Sequence, residues 1–196
     1  MHAHVSHTTR ICYAKIREIA SIRKFITTKV AQTLVQSIVI SHLDYGNGLH
    51  YGISEQLLTK LQRVQNAAAR IILGYGKYDH ISEGLMKLHW LPVRYRIKFK
   101  IAVTTFKVLS TNEPLYLRNL LEVQQNNRSL RSSSGIVLKV PKTKLKSAGD
   151  RSFRLAAPRI WNDLPRKVKQ ATSLPMFKKG LKTYYFRSAY SNMLED

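Results

Sequence analysis

Carboxylates, histidines and one cysteine are the side chains with which this 196-residue chain could do chemistry, and they are sparse. The acids are Glu18, Asp44, Glu55, Asp79, Glu83, Glu113, Glu122, Asp150, Asp163, Glu195 and Asp196. Phosphoryl transfer by two metal ions needs carboxylates that converge on both ions. The only adjacent pair in the sequence is Glu195 and Asp196, at the C-terminal end. His42 with Asp44, and Asp79 with His80, have the composition of acid–base pairs but read as caps and turn residues. His2, His4, His7 and Cys12 are metal ligands by type, yet their spacing matches no closed zinc motif. There is no Walker-type loop, GxSxG elbow or HExxH motif. The residues alone therefore predict no catalytic centre, no metal site and no cofactor.

The positive signal is basic. Lysine and arginine number 33 against 11 acids, a formal net charge of +22 and a pI near 10.4. Such an imbalance repels itself in a compact chain, and a polyanion would relieve it. Nucleic acid is the natural partner, because each neutralised phosphate releases counterions. An anionic membrane surface is the rival, but no apolar run reaches the length of a bilayer span, so no membrane partner is expected. A single cysteine excludes an intrachain disulfide, and no apolar leader segment opens the chain. An intracellular location, nucleus or cytoplasm, is the expectation.

Basic residues are densest from Arg128 to Arg187, where only Asp150 and Asp163 oppose them. Lys139, Lys142, Lys144 and Lys146 fall at every second or third position. Arg151, Arg154 and Arg159 follow, then Arg166, Lys167 and Lys169, and then Lys178, Lys179 and Lys182. Phe153, Trp161, Phe177, Tyr184 and Tyr185 are interleaved with them. Backbone tracking by cations with bases stacked on aromatics is the matching recognition mode; burial in a core is the competing use of the same aromatics.

The elements that must position these charges read as helices, and 44% hydrophobic residues suffice for a core. Residues 1–10 read as a loose leader. Ile16, Ile19, Ala20 and Ile22 give a helix from Cys12 to Phe25. Thr27 or Thr28 caps a second, whose apolar pairs Val30–Ala31, Leu34–Val35 and Ile38–Val39 recur every four residues. Gly46, Gly48 and Gly52 break it. Ser54 opens a third helix, apolar at Leu57, Leu58, Leu61, Val64, Ala68, Ile71 and Ile72, and Gly74 stops it. Ser82 caps a short helix through His89. After Pro114 come a short helix, the polar stretch 124–135, one or two short strands over 136–149, a proline-bounded helical turn holding Trp161, and a last helix from Ser173. That helix turns Phe177, Leu181, Tyr184 and Tyr185 inward.

The stretch HWLPVRYRIKFK is ambiguous. Val93, Tyr95, Ile97, Phe99 and Ile101 alternate with Arg94, Arg96, Lys98 and Lys100 as in a strand, and no carboxylate nearby in sequence answers the four cations. The alternation stops at Ile101, and Pro92 suits the first position of a helix. A helix from Pro92 to Leu109 is predicted. Arg94 and Lys98 then lie between two apolar stripes, and Arg96 and Lys100 on the far side.

Several strings taken together resemble a known family. SHLDYGNGLHYGISEQLLTKLQRVQNAAARIILGYGKYDHISEGLMKLHWLPVRYRIKFKIAVTTFKVL is similar to the region downstream of the polymerase core in reverse transcriptases of non-LTR retrotransposons, the jockey-like and related LINE groups. SLRSS, LKSAGDRSFRLAAPRIWNDLP and SLPMFKKGLKTYYF continue the resemblance in the same order, and it covers roughly residues 20–190. Gly46 and Gly48 stand where cysteine or serine is common in the family. The family's aromatic-x-Asp-Asp palm signature has no counterpart here, nor does its endonuclease, so no catalytic residue carries over. The resemblance implies the thumb-like helices and downstream segment of a truncated RNA-directed DNA polymerase. The full-length family enzyme needs Mg2+; this chain is expected to need none.

The expected fold is mainly α: a helical thumb-like region over 11–112, then a smaller basic α+β region over 113–196. The expected function is to grip template, primer or element RNA during target-primed reverse transcription, without catalysis. Partners would be RNA or DNA and the missing polymerase core. Arg94, Arg96, Lys98, Lys100, Lys142, Lys144, Lys146, Arg151 and Arg154 are the candidate phosphate contacts. An inert truncated product and a domesticated protein-interaction module stand as alternatives.

Overall fold

A computed structural model describes residues 1–124, 136–142 and 149–194. The fold is mainly α. Its helices are α1 (His2–Ile22), α2 (Thr28–Leu34), α3 (Ser41–Asp44), α4 (Glu55–Leu73), α5 (Ile81–Lys87), α6 (Val93–Thr111), α7 (Leu115–Arg118), α8 (Phe153–Asp163), α9 (Arg166–Lys169) and α10 (Leu174–Leu194). They form two compact units. One comprises Met1–Arg96 with Ala189–Asp196, the other Ile97–Ser188. The division falls after the first turn of α6.

In the first unit α1 packs along α4. The expected loose leader is instead the opening of α1. Val5, Thr8, Cys12, Ile16 and Ile19 recur at three and four and are buried. Three histidines disguise this stripe in the sequence, but they fall on the exposed side, at His2, His4 and His7. Burying each aliphatic side chain of such a stripe contributes about 1.5–3 kcal/mol, enough to outweigh weak local propensity. Ala68 and Ala69 are fully buried on α4 and let helices approach closely.

Thr27 caps α2, its hydroxyl accepting from the Val30 N–H at 3.3 Å. From Val35 to Ile40 the helix widens into a π-helical turn before α3. Ser37 donates to the Thr33 and Leu34 carbonyls, and Ser41 to that of Ser37. Such back-bonding by serine bends helices. Gly74, at φ +70, ends α4 in the left-handed conformation, as expected from the sequence. Arg23 reinforces this end. Its guanidinium donates to the carbonyls of Ile71 at 2.8 Å and Ile72 at 3.0 Å, where a helix C-terminus favours a cation.

Polar side chains of α4 fix where α6 begins. The fully buried Gln65 donates to the Leu91 carbonyl at 2.9 Å, and Gln62 accepts from the Val93 N–H at 2.9 Å. That N–H has no acceptor within its own helix, so the Gln62 side chain supplies one. Pro92 stands one residue before the helix, and its carbonyl accepts from Tyr95 and Arg96. HWLPVRYRIKFK is therefore helical from Val93 onward, not a strand. Near the chain end, the Tyr190 hydroxyl donates to the Trp90 carbonyl at 2.6 Å, and Tyr190 itself leaves helical geometry.

In the second unit the core gathers Ile101, Phe106, Leu138, Leu155, Trp161, Phe177 and Leu181. Phe106 and Phe177 stack with centroids 4.2 Å apart, and Trp161 lies 6.0 Å from Phe177. The strands expected over 136–149 are represented, among the described residues, by one antiparallel bridge between Val123 and Leu138. On its other side Leu138 is paired by a side chain. Asn162 accepts from the Leu138 N–H at 3.0 Å and donates to its carbonyl at 2.7 Å. Trp161 donates its indole N–H to the Ile136 carbonyl at 2.9 Å. Two neighbouring residues of α8 thus hold an extended segment where a third strand would run.

Candidate nucleic-acid interface

Charge is divided unevenly between the two units. Residues 97–188 carry twenty lysines and arginines against four acids, Glu113, Glu122, Asp150 and Asp163. The other unit carries thirteen against seven. The difference is sixteen charges in the second unit and six in the first, so the second holds most of the +22.

On α10 the exposed Lys178, Lys179 and Lys182 oppose the buried Phe177, Leu181 and Tyr185. This is an amphipathic helix with a cationic outer face. Arg154 and Arg159 on α8, and Arg166 and Lys167 on α9, are exposed as well. The interleaved aromatics serve the interior: Trp161, Phe177 and Tyr185 are buried, and Phe153 and Tyr184 half-buried. The core use of these rings therefore prevails over base stacking.

The sequence-predicted contacts divide by environment. Arg94 is exposed and pairs with Glu55, whose carboxylate lies 2.5 Å away. Arg96 is only 17% exposed and meets Asp44 through both Nε and an Nη, the former at 2.9 Å. Carboxylates distant in sequence, from α4 and α3, thus answer two of the four cations that looked unanswered. In the second unit Lys98 is half-buried, whereas Lys100 is exposed and has no ion pair among the described residues. Lys142 is exposed; Lys144 and Lys146 lie outside the described residues. Arg151 is half-buried in the short turn before α8.

Arg154 sits 3.7 Å from Glu122, which also holds Lys139 at 3.0 Å. The Lys139 hydrogen bond and charge, with Arg154 behind them, hold the Glu122 carboxyl below its ordinary range. One acid thus gathers two cations from separate segments. Lys169 is withdrawn from the surface: it donates to the Asn162 carbonyl at 3.1 Å, and burial lowers its pKa.

The residues that sequence reasoning passed over are mostly polar partners from afar, Gln62, Gln65 and Asn162, while Asp44, read as a cap or turn residue, instead holds Arg96. No spacing rule announces them. Arg63, Asn66 and Arg70 were passed over as well, although a spacing of three and four places them on one face of α4. Among the described residues no three His, Cys, Asp or Glu side chains converge as a metal site, and Cys12 is buried. No helix is long and apolar enough to cross a membrane among those residues. Comparison with family models, curated proteins and solved structures returned no match.

Proposed function

We propose that this chain is a nucleic-acid-gripping part of a non-LTR retrotransposon reverse transcriptase, holding template–primer or element RNA without performing polymerisation itself. The observation that carries the reading is the charge of residues 97–188, where twenty cations face four acids. The ordered blocks of family resemblance agree with it. Mechanistically, exposed Lys100, Lys142, Arg154, Lys178, Lys179 and Lys182 contact phosphates. Such contacts set position and affinity but carry little sequence information. Arg96 acts indirectly in this scheme, as its guanidinium is already held by Asp44.

The test is binding of a labelled RNA–DNA primer–template hybrid by the full chain, with polyglutamate as competitor. Binding that polyglutamate displaces only weakly, and that primer extension does not accompany, supports the reading. Absence of binding at low salt contradicts it.

A second reading, a protein-interaction module, is favoured by exposed apolar side chains in the first unit: Phe25, Tyr45, Leu49 and Tyr78 are each at least 70% exposed. The polymerase core of such an enzyme is one partner that these side chains would suit. Pull-downs that survive nuclease treatment distinguish this reading from the first.

A further inference from the structure

The first unit contains a surface cleft of about 580 Å³ between α1, α4 and the turn that follows α4. Its lining includes Tyr13, Arg63, Asn66, Arg70, Tyr75 and Lys77 over an aliphatic floor. Three cations line it and no carboxylate does. Two phenol rings line it as well. An apolar cleft of roughly 300–1,000 Å³ with a few convergent polar groups is the usual form of a small-ligand site.

The polar groups are prepared rather than incidental. Arg70 is oriented by two backbone carbonyls, Nε to Gly76 at 3.1 Å and Nη2 to Asp79 at 3.2 Å, so its charge stays in place without a carboxylate. The Asp79 carboxylate is taken by the Gly76 N–H at 2.7 Å. Arg63 is exposed and has no ion pair among the described residues. Asn66 accepts from Gln62 at 2.8 Å through its carbonyl oxygen, which leaves its amide N–H groups as donors. The Tyr13 hydroxyl has no partner among the described residues.

Tyr75 is held rigidly. Its hydroxyl accepts from Lys87 at 3.0 Å, and its ring passes Gly84 so closely that an added Cβ would lie 3.1 Å from it. The side-chain-free Gly84 accommodates this ring together with Leu73, whose Cδ1 would lie 2.8 Å from such a Cβ.

We propose that this cleft binds one nucleotide unit of a single strand, its base against the tyrosine-lined wall and its phosphate on Arg63 and Lys77, with Arg70 fixed behind them. Flat rings with cations beside them match a base linked to a phosphate, and any base has a face to stack. Asn66 and the Tyr13 hydroxyl supply hydrogen bonds to the base edge. The inference rests on the nucleic-acid reading and adds a site in the other, less basic unit.

The experiment is photocrosslinking of the full chain to a 5-iodouracil-containing RNA oligomer, with peptides mapped by mass spectrometry. Crosslinks at Tyr13 or Tyr75 are expected. They should fall about tenfold in Arg63→Glu, an exposed change that leaves the core intact. Competition by uridine monophosphate at these positions assigns the site to a free nucleotide as well as a strand, whereas competition by oligomer alone assigns it to a strand; either supports the site. Crosslinks confined to residues 97–188 overturn the cleft and leave the proposed function standing. Absence of crosslinks together with absence of binding overturns both. Unchanged Tyr13 and Tyr75 crosslinking in Arg63→Glu overturns the assigned phosphate contact.

Discussion

Arg96 and Asp44 stand 52 positions apart in the chain and meet in a two-pronged ion pair that is mostly shielded from water. A guanidinium so engaged directs two of its five N–H donors and its charge to Asp44 rather than to a phosphate. Arg96→Ala should therefore lower stability by about 1–3 kcal/mol, as for other charged hydrogen bonds, while leaving hybrid affinity nearly unchanged. Arg94→Ala, which breaks an exposed pair with Glu55, should cost under about 1 kcal/mol. Urea denaturation beside binding measurements checks both.

Asn162 takes the place of a strand for Leu138, bonding its N–H and its carbonyl. Leu138 is buried, so losing the amide leaves two backbone groups without partners. Asn162→Ala should destabilise the second unit by about 2 kcal/mol or more. Hydrogen exchange at the Leu138 amide should accelerate in parallel.

Burial raises the Cys12 thiol to about 11, and its Sγ lies against the Val39 carbonyl at 3.8 Å. Only the thiolate alkylates readily. At pH 8 iodoacetamide should modify the native chain slowly and the guanidinium-unfolded chain fast. Equal rates would mean that the α1 stripe is open to solvent.

His50 is buried with neither ring nitrogen hydrogen-bonded among the described residues. Burial first, and then the charge of His4, whose ring lies 5.4 Å away, lower its pKa below 6.5. The fold therefore favours neutral His50. Its contribution to stability is complete above the unfolded value of 6.5 and is lost as pH falls from there toward the lowered native value. Denaturation midpoints should drop as pH falls below 6.5, and drop less in His50→Leu.

Local rules made much of the helix set legible. Ser54, the three-and-four repeat and Gly74 bounded α4 correctly, and Pro92 with the lost alternation after Ile101 identified α6. Trp161 was buried as expected. The opening of α1 was not legible, because its apolar residues are thinly spaced among histidines and gain their energy from α4. Ser82 was expected to cap α5, but His80 stands at that position. The ion pairs of Arg94 and Arg96 were invisible for the same reason as the Asn162 clasp: the partners are chosen by tertiary packing, not by sequence distance. The excess of basic residues was plain in the sequence. So was its concentration in the second half of the chain, whereas the diversion of Arg23, Arg96 and Lys169 to structural partners emerged only with the fold.

The central claim is that exposed cations of this chain grip phosphates, and salt dependence tests it most directly. Affinity for the RNA–DNA hybrid should be measured between 50 and 200 mM salt, for the parent chain and for Lys178→Ala/Lys182→Ala. With about six phosphate contacts the parent should lose roughly 10³-fold in affinity over that range, and the double variant should show a slope about two units shallower. An affinity that stays constant across the range, or a slope indifferent to the two lysines, would contradict the account.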